Sequence, residues 1–370
     1  MLTPRMKMLF VGMFGLLAVA VLLMGMVAVS AAGGGEDPTI NTNVVVAGAT
    51  ITVDSTADTV DNEGLCTLRE AITAANTDTA SGAAGECVAG GGADTISFNI
   101  PGASCPSGVC TIAPTSSLPT ITQPVTIDGY TQPGATANTL AVGNNAVLRI
   151  ELSGQSAPSF TDGLNITAGG TTVRGLAINR FSSGSGIQLT GAGATGNTIT
   201  GNFIGTNAEG TEALDNPTGI SISDNATNNR VGTDGNGTND EAERNVVSGN
   251  GGTGIAINGA GTSDNIIAGN RIGTNAEGTE LLRNGIGIRI IDRAANNRIG
   301  GIAAGEANTI AFNSDDGVQL SFNAGTGNVI LSNSIHSNGF SSNALGIDLV
   351  GADGINPNDT NDTDSGPNNL

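Results

Sequence analysis

The feature that most constrains this chain is a Gly-apolar-X-apolar pattern that recurs between Gly163 and Leu349. Successive copies are separated by 23 to 35 residues. The seven copies begin at Gly163, Gly186, Gly219, Gly254, Gly285, Gly317 and Gly346. Repeats of this period are typical of solenoids, in which each repeat forms one coil that stacks on the next. We therefore expect the chain to grow coil by coil rather than to divide into globular domains.

The coils are predicted to be β-structure, because apolar residues come in short alternating pairs that Gly and Asn interrupt. The 57 glycines and an aromatic content of 3% suit short stacked strands better than a core of large side chains. The fold predicted is all-β, a single-stranded right-handed parallel β-helix, since crossovers between parallel strands are right-handed.

Asparagine recurs at the expected corners between strands. There it is predicted to adopt the left-handed backbone conformation and to hydrogen-bond to asparagines of neighbouring coils. The corner positions are Asn197, Asn202, Asn245, Asn250, Asn265, Asn270, Asn308, Asn313, Asn328 and Asn333.

A longer repeat of 68 residues is superimposed on the coils. Residues 201–212 return almost unchanged as residues 269–280, which indicates a unit of two coils. The matching loops 206–210 and 274–278 would then lie two coils apart, about 10 Å. They are interpreted either as a repeated ligand surface or as tolerated loop insertions.

The N-terminus is predicted to be an export signal covering residues 1–32. Arg5 and Lys7 precede an uncharged apolar run, which ends in small residues near Ala31 and Ala32. The run is long enough to span a bilayer, so the alternative to a cleaved signal is an uncleaved membrane anchor. Such an anchor is the only membrane contact that we predict for this chain. Residues 33–50 are interpreted as a linker. The predicted location is secreted or on the cell surface.

The net charge of −20 excludes nucleic acid as a predicted partner, because an acidic surface repels phosphate backbones. An extracellular polysaccharide or cell-surface component is expected instead. No cofactor is predicted apart from Ca²⁺, for which Asp359, Asp362 and Asp364 alternate oxygen ligands in the acidic tail, residues 350–370. Because no C-terminal cap is evident, we expect the chain to be truncated.

One amphipathic helix is predicted near the N-terminal end of the solenoid. Thr67 and Glu70 have the spacing of a capping box, and Leu68, Ile72 and Ala75 share one face. Such a helix would cover the open end of the solenoid, which otherwise exposes unpaired strand edges.

Four cysteines precede the repeat array, and an even number in an exported chain indicates disulfides. By proximity in sequence, Cys66 is expected to pair with Cys87 and Cys105 with Cys110.

Residues 66–71, Cys-Thr-Leu-Arg-Glu-Ala, resemble the Cys-Ser-Leu-Arg-Glu-Ala signature of the CSLREA domain of secreted bacterial proteins. Residues 94–98 and 118–130 are also similar to that family's N-terminal region. The resemblance implies a cap over residues 51–117, a right-handed parallel β-helix over residues 118–349, and a place outside the cell.

Two functions are compared. The leading hypothesis is a non-enzymatic surface module for adhesion or glycan binding. The alternative is a polysaccharide lyase or glycoside hydrolase, similar to pectate lyases or polygalacturonases, which needs carboxylates at fixed separations. The candidate catalytic residues are Asp292, Asp315, Asp316 and His336, spaced about one coil apart. The interpretation of these residues as turn and loop residues is favoured over a catalytic role, and the Gly-His-Gly motif of polygalacturonases is absent.

Overall fold

The computed structural model describes residues 47–60, 64–82, 85–321, 323–340 and 344–349. Over these residues the protein is an all-β, right-handed parallel β-helix with an N-terminal capping helix. The predicted export signal and the acidic tail lie outside the described residues. No helix in the described ranges combines the length and the hydrophobicity needed to cross a membrane.

The strands form three parallel sheets, and from β4 onward each coil contributes one strand to each sheet in turn. Sheet 1 contains β1 (Thr50–Val53), β2 (Asp94–Phe98), β4 (Val125–Asp128), β7 (Thr172–Arg174), β10 (Thr198–Thr200), β13 (Arg230–Gly232), β16 (Ile266–Ala268), β19 (Arg298–Gly300) and β22 (Val329–Leu331). Sheet 2 contains β3 (Cys110–Ile112), β5 (Ile150–Ser153), β8 (Leu176–Asn179), β11 (Phe203–Ile204), β14 (Val246–Val247), β17 (Arg271–Ile272), β20 (Thr309–Ala311) and β23 (Ser334–His336). Sheet 3 contains β6 (Leu164–Ile166), β9 (Ser185–Thr190), β12 (Thr218–Ser223), β15 (Thr253–Asn258), β18 (Ile286–Ile291), β21 (Val318–Leu320) and β24 (Ile347–Asp348).

The core is a set of aliphatic columns that run through the bore of the helix. In sheet 1, for example, Ile127, Val173 and Ile199 lie level with one another on successive coils and are fully buried. Side chains alternate sides along a strand, so the residues between them face outward. Each buried isoleucine contributes about 1.5–3 kcal/mol. Stability therefore rises with every coil added.

The capping helix α1 (Leu68–Thr77) begins at the predicted capping box. The Thr67 hydroxyl accepts a hydrogen bond from the Glu70 amide, and the Glu70 carboxylate accepts one from the Thr67 amide. Leu68 and Ile72 are buried in the core, as expected for one apolar face. Helix α1 lies between β1 and β2 in the chain, before sheets 2 and 3 begin, and so it covers the end of the bore.

Parallel pairing starts earlier than the boundary predicted at residue 118. Strand β1 pairs with β2, and β2 pairs with β4, so sheet 1 already begins at Thr50, within the segment assigned to linker and cap. These first coils lack the Gly-apolar-X-apolar pattern, because a helix and 3₁₀ turns replace some of their strands. The β-helix is therefore longer than its repeats indicate.

Both predicted disulfides are formed. Cys66–Cys87 ties the start of α1 to the segment before β2, with the two Cα atoms 4.9 Å apart. Cys105–Cys110 closes the short loop before β3, with Cα atoms 4.1 Å apart. Both bridges therefore reinforce the first coils.

The predicted asparagine hydrogen bonds are confirmed and form three ladders, one at each corner of the coil. In each ladder the side-chain Nδ2 of one asparagine donates to the Oδ1 of the next, at 2.8–3.2 Å. The ladders are Asn197-Asn229-Asn265-Asn297-Asn328, Asn202-Asn245-Asn270-Asn308-Asn333 and Asn216-Asn250-Asn284-Asn313-Asn338.

The predicted backbone conformation of these asparagines is wrong. None of the ladder asparagines has a positive φ. At many corners the residue before the asparagine is left-handed instead, as at Asp264 (φ 59°) before Asn265. A ladder asparagine must point its amide inward and along the rod, so the preceding residue makes the turn.

A column of glycines in sheet 3 accompanies the third ladder. A Cβ on Gly254 would lie 2.6 Å from the carbonyl oxygen of Gly287 and 3.0 Å from Asn284 Nδ2, so no side chain fits. The strand register aligns Ile255 with Ile288. The glycine equivalent to Gly254 is therefore Gly287, and the sequence-based assignment of this copy to Gly285 is wrong by two residues.

The two matching loops are in contact rather than about 10 Å apart. The Ala276 amide donates to the Gly210 carbonyl oxygen at 2.8 Å. They extend from β11 and β17, and the intervening coil has only a short corner after β14. The loops therefore close over that coil as one structure.

Candidate functional site

The structure does not assemble the predicted acid and histidine set. Asp316 precedes β21 and is level with Ile286, given that Ile288 pairs with Val318. Asp292 follows the other end of β18, six residues beyond Ile286, which corresponds to about 20 Å. Asp316 is 3% exposed, and its carboxylate accepts hydrogen bonds from the Leu345 amide and Gln319 Nε2. These bonds are those of a structural carboxylate that ties β21 to the next coil.

His336 lies on a different sheet from these acids. It is exposed at the end of β23, where its Nδ1 lies 3.2 Å from the Ser337 hydroxyl. Its ring packs edge-to-face on Phe312, with ring centroids 5.8 Å apart. Asp315 is partly buried at the corner before β21, and its amide donates to the Gly285 carbonyl oxygen. The predicted calcium ligands Asp359, Asp362 and Asp364 lie outside the described residues.

A cleft of about 370 Å³ lies on the outside of the rod, beside sheet 1. We call it the tyrosine cleft. Most of its lining residues are polar, and they include one aromatic ring and one guanidinium group. The lining residues include Tyr130, Asn138, Arg174, Thr200, Glu241 and Glu243.

Tyr130 is held rigidly at the base of this cleft. It sits in the 3₁₀ turn Gly129–Thr131 directly after β4, where the Asp128 carboxylate accepts a hydrogen bond from the Tyr130 amide. Its hydroxyl donates to the Gly201 carbonyl oxygen at 2.7 Å. Gly175 has φ 75°, and a Cβ there would lie within 3 Å of the tyrosine ring. Burial raises the pKa of the Tyr130 phenol above its usual range, so the hydroxyl stays protonated.

Arg174 supplies the positive charge of the cleft. Its Nη2 lies 2.6 Å from Asp128 Oδ2, and its side chain remains 49% exposed. The guanidinium is thus oriented by a carboxylate while it keeps donors for a ligand.

Two loops from distant parts of the chain form the walls of the cleft. Segment 133–147 and segment 233–244 are joined by a hydrogen bond of 2.9 Å from Asn138 Nδ2 to the Glu241 carbonyl oxygen. Arg244 also donates to the Ala141 and Gly143 carbonyl oxygens. These bonds hold both loops in place, so the cleft is formed before any ligand arrives.

A cluster of three carboxylates adjoins the cleft. Ligand oxygens of Asp234, Asp240 and Glu243 lie within 4.8 Å of one another, and these are the described residues that could hold a cation. Burial raises the pKa of Glu243, which Arg230 lowers in part. Arg230 Nη1 lies 3.2 Å from Asp234 Oδ2 and offsets some of the negative charge.

Glu306 anchors the neighbouring loop through a pH-dependent contact. Its carboxylate accepts hydrogen bonds from Arg298 Nη2 at 2.8 Å and from the Ala303 amide at 2.9 Å. The Arg298 hydrogen bond is the main reason that the pKa of Glu306 lies below its usual range. A lowered folded-state pKa stabilises the fold above the unfolded pKa, and this contribution is lost as pH falls through the folded value.

We expect Glu306→Gln to lower the free energy of unfolding at pH 7 by about 1–2 kcal/mol. The difference from wild type should shrink as pH falls below about 4, because the wild-type carboxylate then becomes protonated. Urea unfolding between pH 3 and 8 measures the difference in unfolding free energy between wild type and Glu306→Gln. Glu209→Gln is the matched control, because Glu209 is exposed. A difference that stays constant over this pH range would contradict the assignment.

Comparisons with known proteins identify no relative by sequence. No protein family matches this chain, and no curated protein does. Two solved structures align with it at 15% identity. The Dettilon tailspike protein aligns over 65% of this chain with a TM-score of 0.31, and this chain spans only 55% of the tailspike chain. An alginate lyase from Paenibacillus sp. str. FPU-7 aligns over 82% of this chain and 99% of its own, with a TM-score of 0.29. At these TM-scores neither likeness carries an argument about this protein.

The tyrosine cleft was not predicted from the sequence. Its lining comes from five separate segments, and no motif spans them. One signal was available, namely that Tyr130 is the single tyrosine of the chain. A lone aromatic beside Asp-Gly in a chain poor in aromatics was a reason to examine that position.

Proposed function

We propose that this protein is an exported, non-enzymatic surface module that binds a hydroxyl-rich glycan in the tyrosine cleft. The observation that carries the proposal is a rigid aromatic ring beside an oriented guanidinium in a polar cleft of about 370 Å³. Sugars present both apolar C–H faces and hydroxyl groups, so they match an aromatic ring surrounded by hydrogen-bonding side chains. The two disulfides fit an oxidising compartment outside the cytoplasm.

The separation of Asp292 from Asp316 and the structural bonds of Asp316 give no support to a catalytic role for those residues. We therefore do not assign an activity to the rod. The sequence of residues 66–71 is the basis for proposing kinship with CSLREA-domain proteins. Proteins of that family lie outside the cell, which agrees with the proposed export.

The test is glycan-array binding by the full chain, followed by calorimetry with the best ligand. We expect Tyr130→Leu to weaken binding by about tenfold, because the ring surface is lost while most of the volume is kept. Tyr130→Phe retains the ring and should bind within about threefold of wild type.

Phe160→Leu provides the matched control, since it removes an aromatic ring that is 87% exposed elsewhere on the rod. The proposal fails if no glycan binds, or if Tyr130→Leu and Phe160→Leu bind a glycan as well as wild type does.

A further inference from the structure

A second cavity lies beside segment 137–145 and is lined by two arginines. It has a volume of about 280 Å³. Its lining includes Arg244, Arg271, Asn270 and Thr309, together with Ala141 and Val142. We call it the arginine cavity. Two guanidinium groups facing one small cavity are unusual in a chain with a net charge of −20.

Arg271 is buried because the outer face of sheet 2 is covered by loops. On β17 it lies level with Val246 on β14 and Thr309 on β20. Val246 belongs to an apolar cluster on that outer face, which includes Phe203 and Ala276. Arg271 is consequently only 7% exposed, although its charge lines the cavity.

Neither arginine forms an ion pair with a carboxylate of the described residues, although Glu241 acts on Arg244 and Glu277 acts on Arg271 at longer range and offset part of each charge. Among the described residues, five ion pairs are formed and none includes Arg244 or Arg271. Arg271 Nη1 donates to the Ala276 carbonyl oxygen, and Arg244 donates to carbonyl oxygens of segment 140–143. Each guanidinium has five N–H donors, so both keep donors that these bonds do not use.

The two charges also act on each other. Burial, and then the charge of Arg244, lower the pKa of the Arg271 guanidinium to about 10. Burial likewise lowers the pKa of Arg244. Both groups remain charged at neutral pH, so they repel each other. A negative group between them would relieve this repulsion.

We propose that the arginine cavity binds one oxyanion of an acidic glycan, a carboxylate or a sulfate ester. Guanidinium groups bind these anions through paired, charge-assisted hydrogen bonds. The Thr309 hydroxyl makes no hydrogen bond in the described structure and lines the same cavity, so it offers a third donor. Successive residues, Glu243 and Arg244, line the tyrosine cleft and the arginine cavity, so one chain could occupy both.

That the oxyanion belongs to a glycan rests on the proposed function. Binding of an oxyanion in the arginine cavity is tested separately with simple anions. Sodium sulfate and sodium glucuronate are titrated into the full chain at constant ionic strength, with sodium chloride and methyl glucoside as blanks. The arginine side-chain N–H resonances in NMR spectra report occupancy. We expect saturable shifts with one or both oxyanions and none with the blanks. Saturation by sulfate alone assigns a sulfate ester, and saturation by glucuronate alone assigns a uronate.

Arg271→Gln should weaken oxyanion binding by at least about tenfold. If that variant does not fold, Thr309→Val tests the same cavity with a smaller change and an expected weakening of about threefold. Arg289→Gln is the matched control, because Arg289 is also outside any ion pair of the described residues but lies on sheet 3.

The inference is overturned if neither oxyanion gives a saturable shift. It is also overturned if Arg289→Gln weakens binding as much as Arg271→Gln, which would indicate diffuse attraction to any arginine. If either result is found while the protein still binds a glycan on the array, the anion site is wrong but the proposed glycan binding in the tyrosine cleft remains supported.

Discussion

Asn250→Ala is expected to lower the free energy of unfolding by about 3 kcal/mol, because it breaks a ladder in the middle of the rod. Asn250 is 1% exposed. Its Oδ1 accepts from Asn216 Nδ2 at 3.0 Å, and its Nδ2 donates to Asn284 Oδ1 at 2.9 Å and to the Ile204 carbonyl oxygen at 3.1 Å. Alanine removes these three buried hydrogen bonds, and each contributes about 1 kcal/mol. Asn216 Nδ2, Asn284 Oδ1 and the Ile204 carbonyl oxygen each keep one other hydrogen bond.

Urea unfolding monitored by circular dichroism measures this effect. Asn236→Ala is the control, since Asn236 lies in an exposed loop and bonds only within it. Asn250→Asp should destabilise more than alanine, because a carboxylate oxygen would face Asn284 Oδ1 and the Ile204 carbonyl oxygen. Equal stabilities of the Asn250 and Asn236 variants would show that the ladder is not a source of stability.

Gly254→Ala is expected to destabilise the rod by about 2–3 kcal/mol or more, although it adds a single methyl group. That methyl would lie 2.6 Å from the Gly287 carbonyl oxygen and 3.0 Å from Asn284 Nδ2. Backbone lies on one side and a ladder amide on the other, so neither neighbour can move without disturbing the next coil. The strand must bend away, which separates sheet 3 from the ladder.

Gly102→Ala is the matched control, because a Cβ there meets no heavy atom within 4 Å and its φ is not positive. It should change the free energy of unfolding by less than about 0.5 kcal/mol. The two alanine variants are compared by urea unfolding under one set of conditions. If Gly254→Ala proves as mild as Gly102→Ala, the close packing of glycine column against asparagine ladder is incorrect.

Local patterns predicted well where neighbours in sequence make the decisive contacts. The capping box at Thr67 and Glu70 needs only four residues, and it forms as expected. Both disulfides join cysteines that are near in sequence. The asparagine ladders also follow, since stacking identical coils brings identical side chains together.

Predictions failed where register or chain direction was needed. Residues 285–288 read Gly-Ile-Gly-Ile, and a shift of two residues keeps the same side chains inside, so the sequence does not choose between Gly285 and Gly287. The structure identifies Gly287 as the glycine that packs against the ladder, because a Cβ there would lie 2.9 Å from the Asn313 side-chain amide. Similarly, a spacing of about one coil did not reveal that Asp316 lies before the start of β21 while Asp292 lies beyond the opposite end of its neighbour β18.

By itself, the sequence determined that this chain forms stacked parallel coils, capped at the N-terminal end by a helix and closed by two disulfides. It could do so because a solenoid repeats the same local interactions in every coil, and repetition is visible in sequence. Only the tertiary structure decided that Tyr130 and Arg174 line one cleft and that Arg244 and Arg271 line one cavity. Both cavities depend on loops that are not part of the repeated coil, and the path of such a loop is set by the outer surface on which it packs.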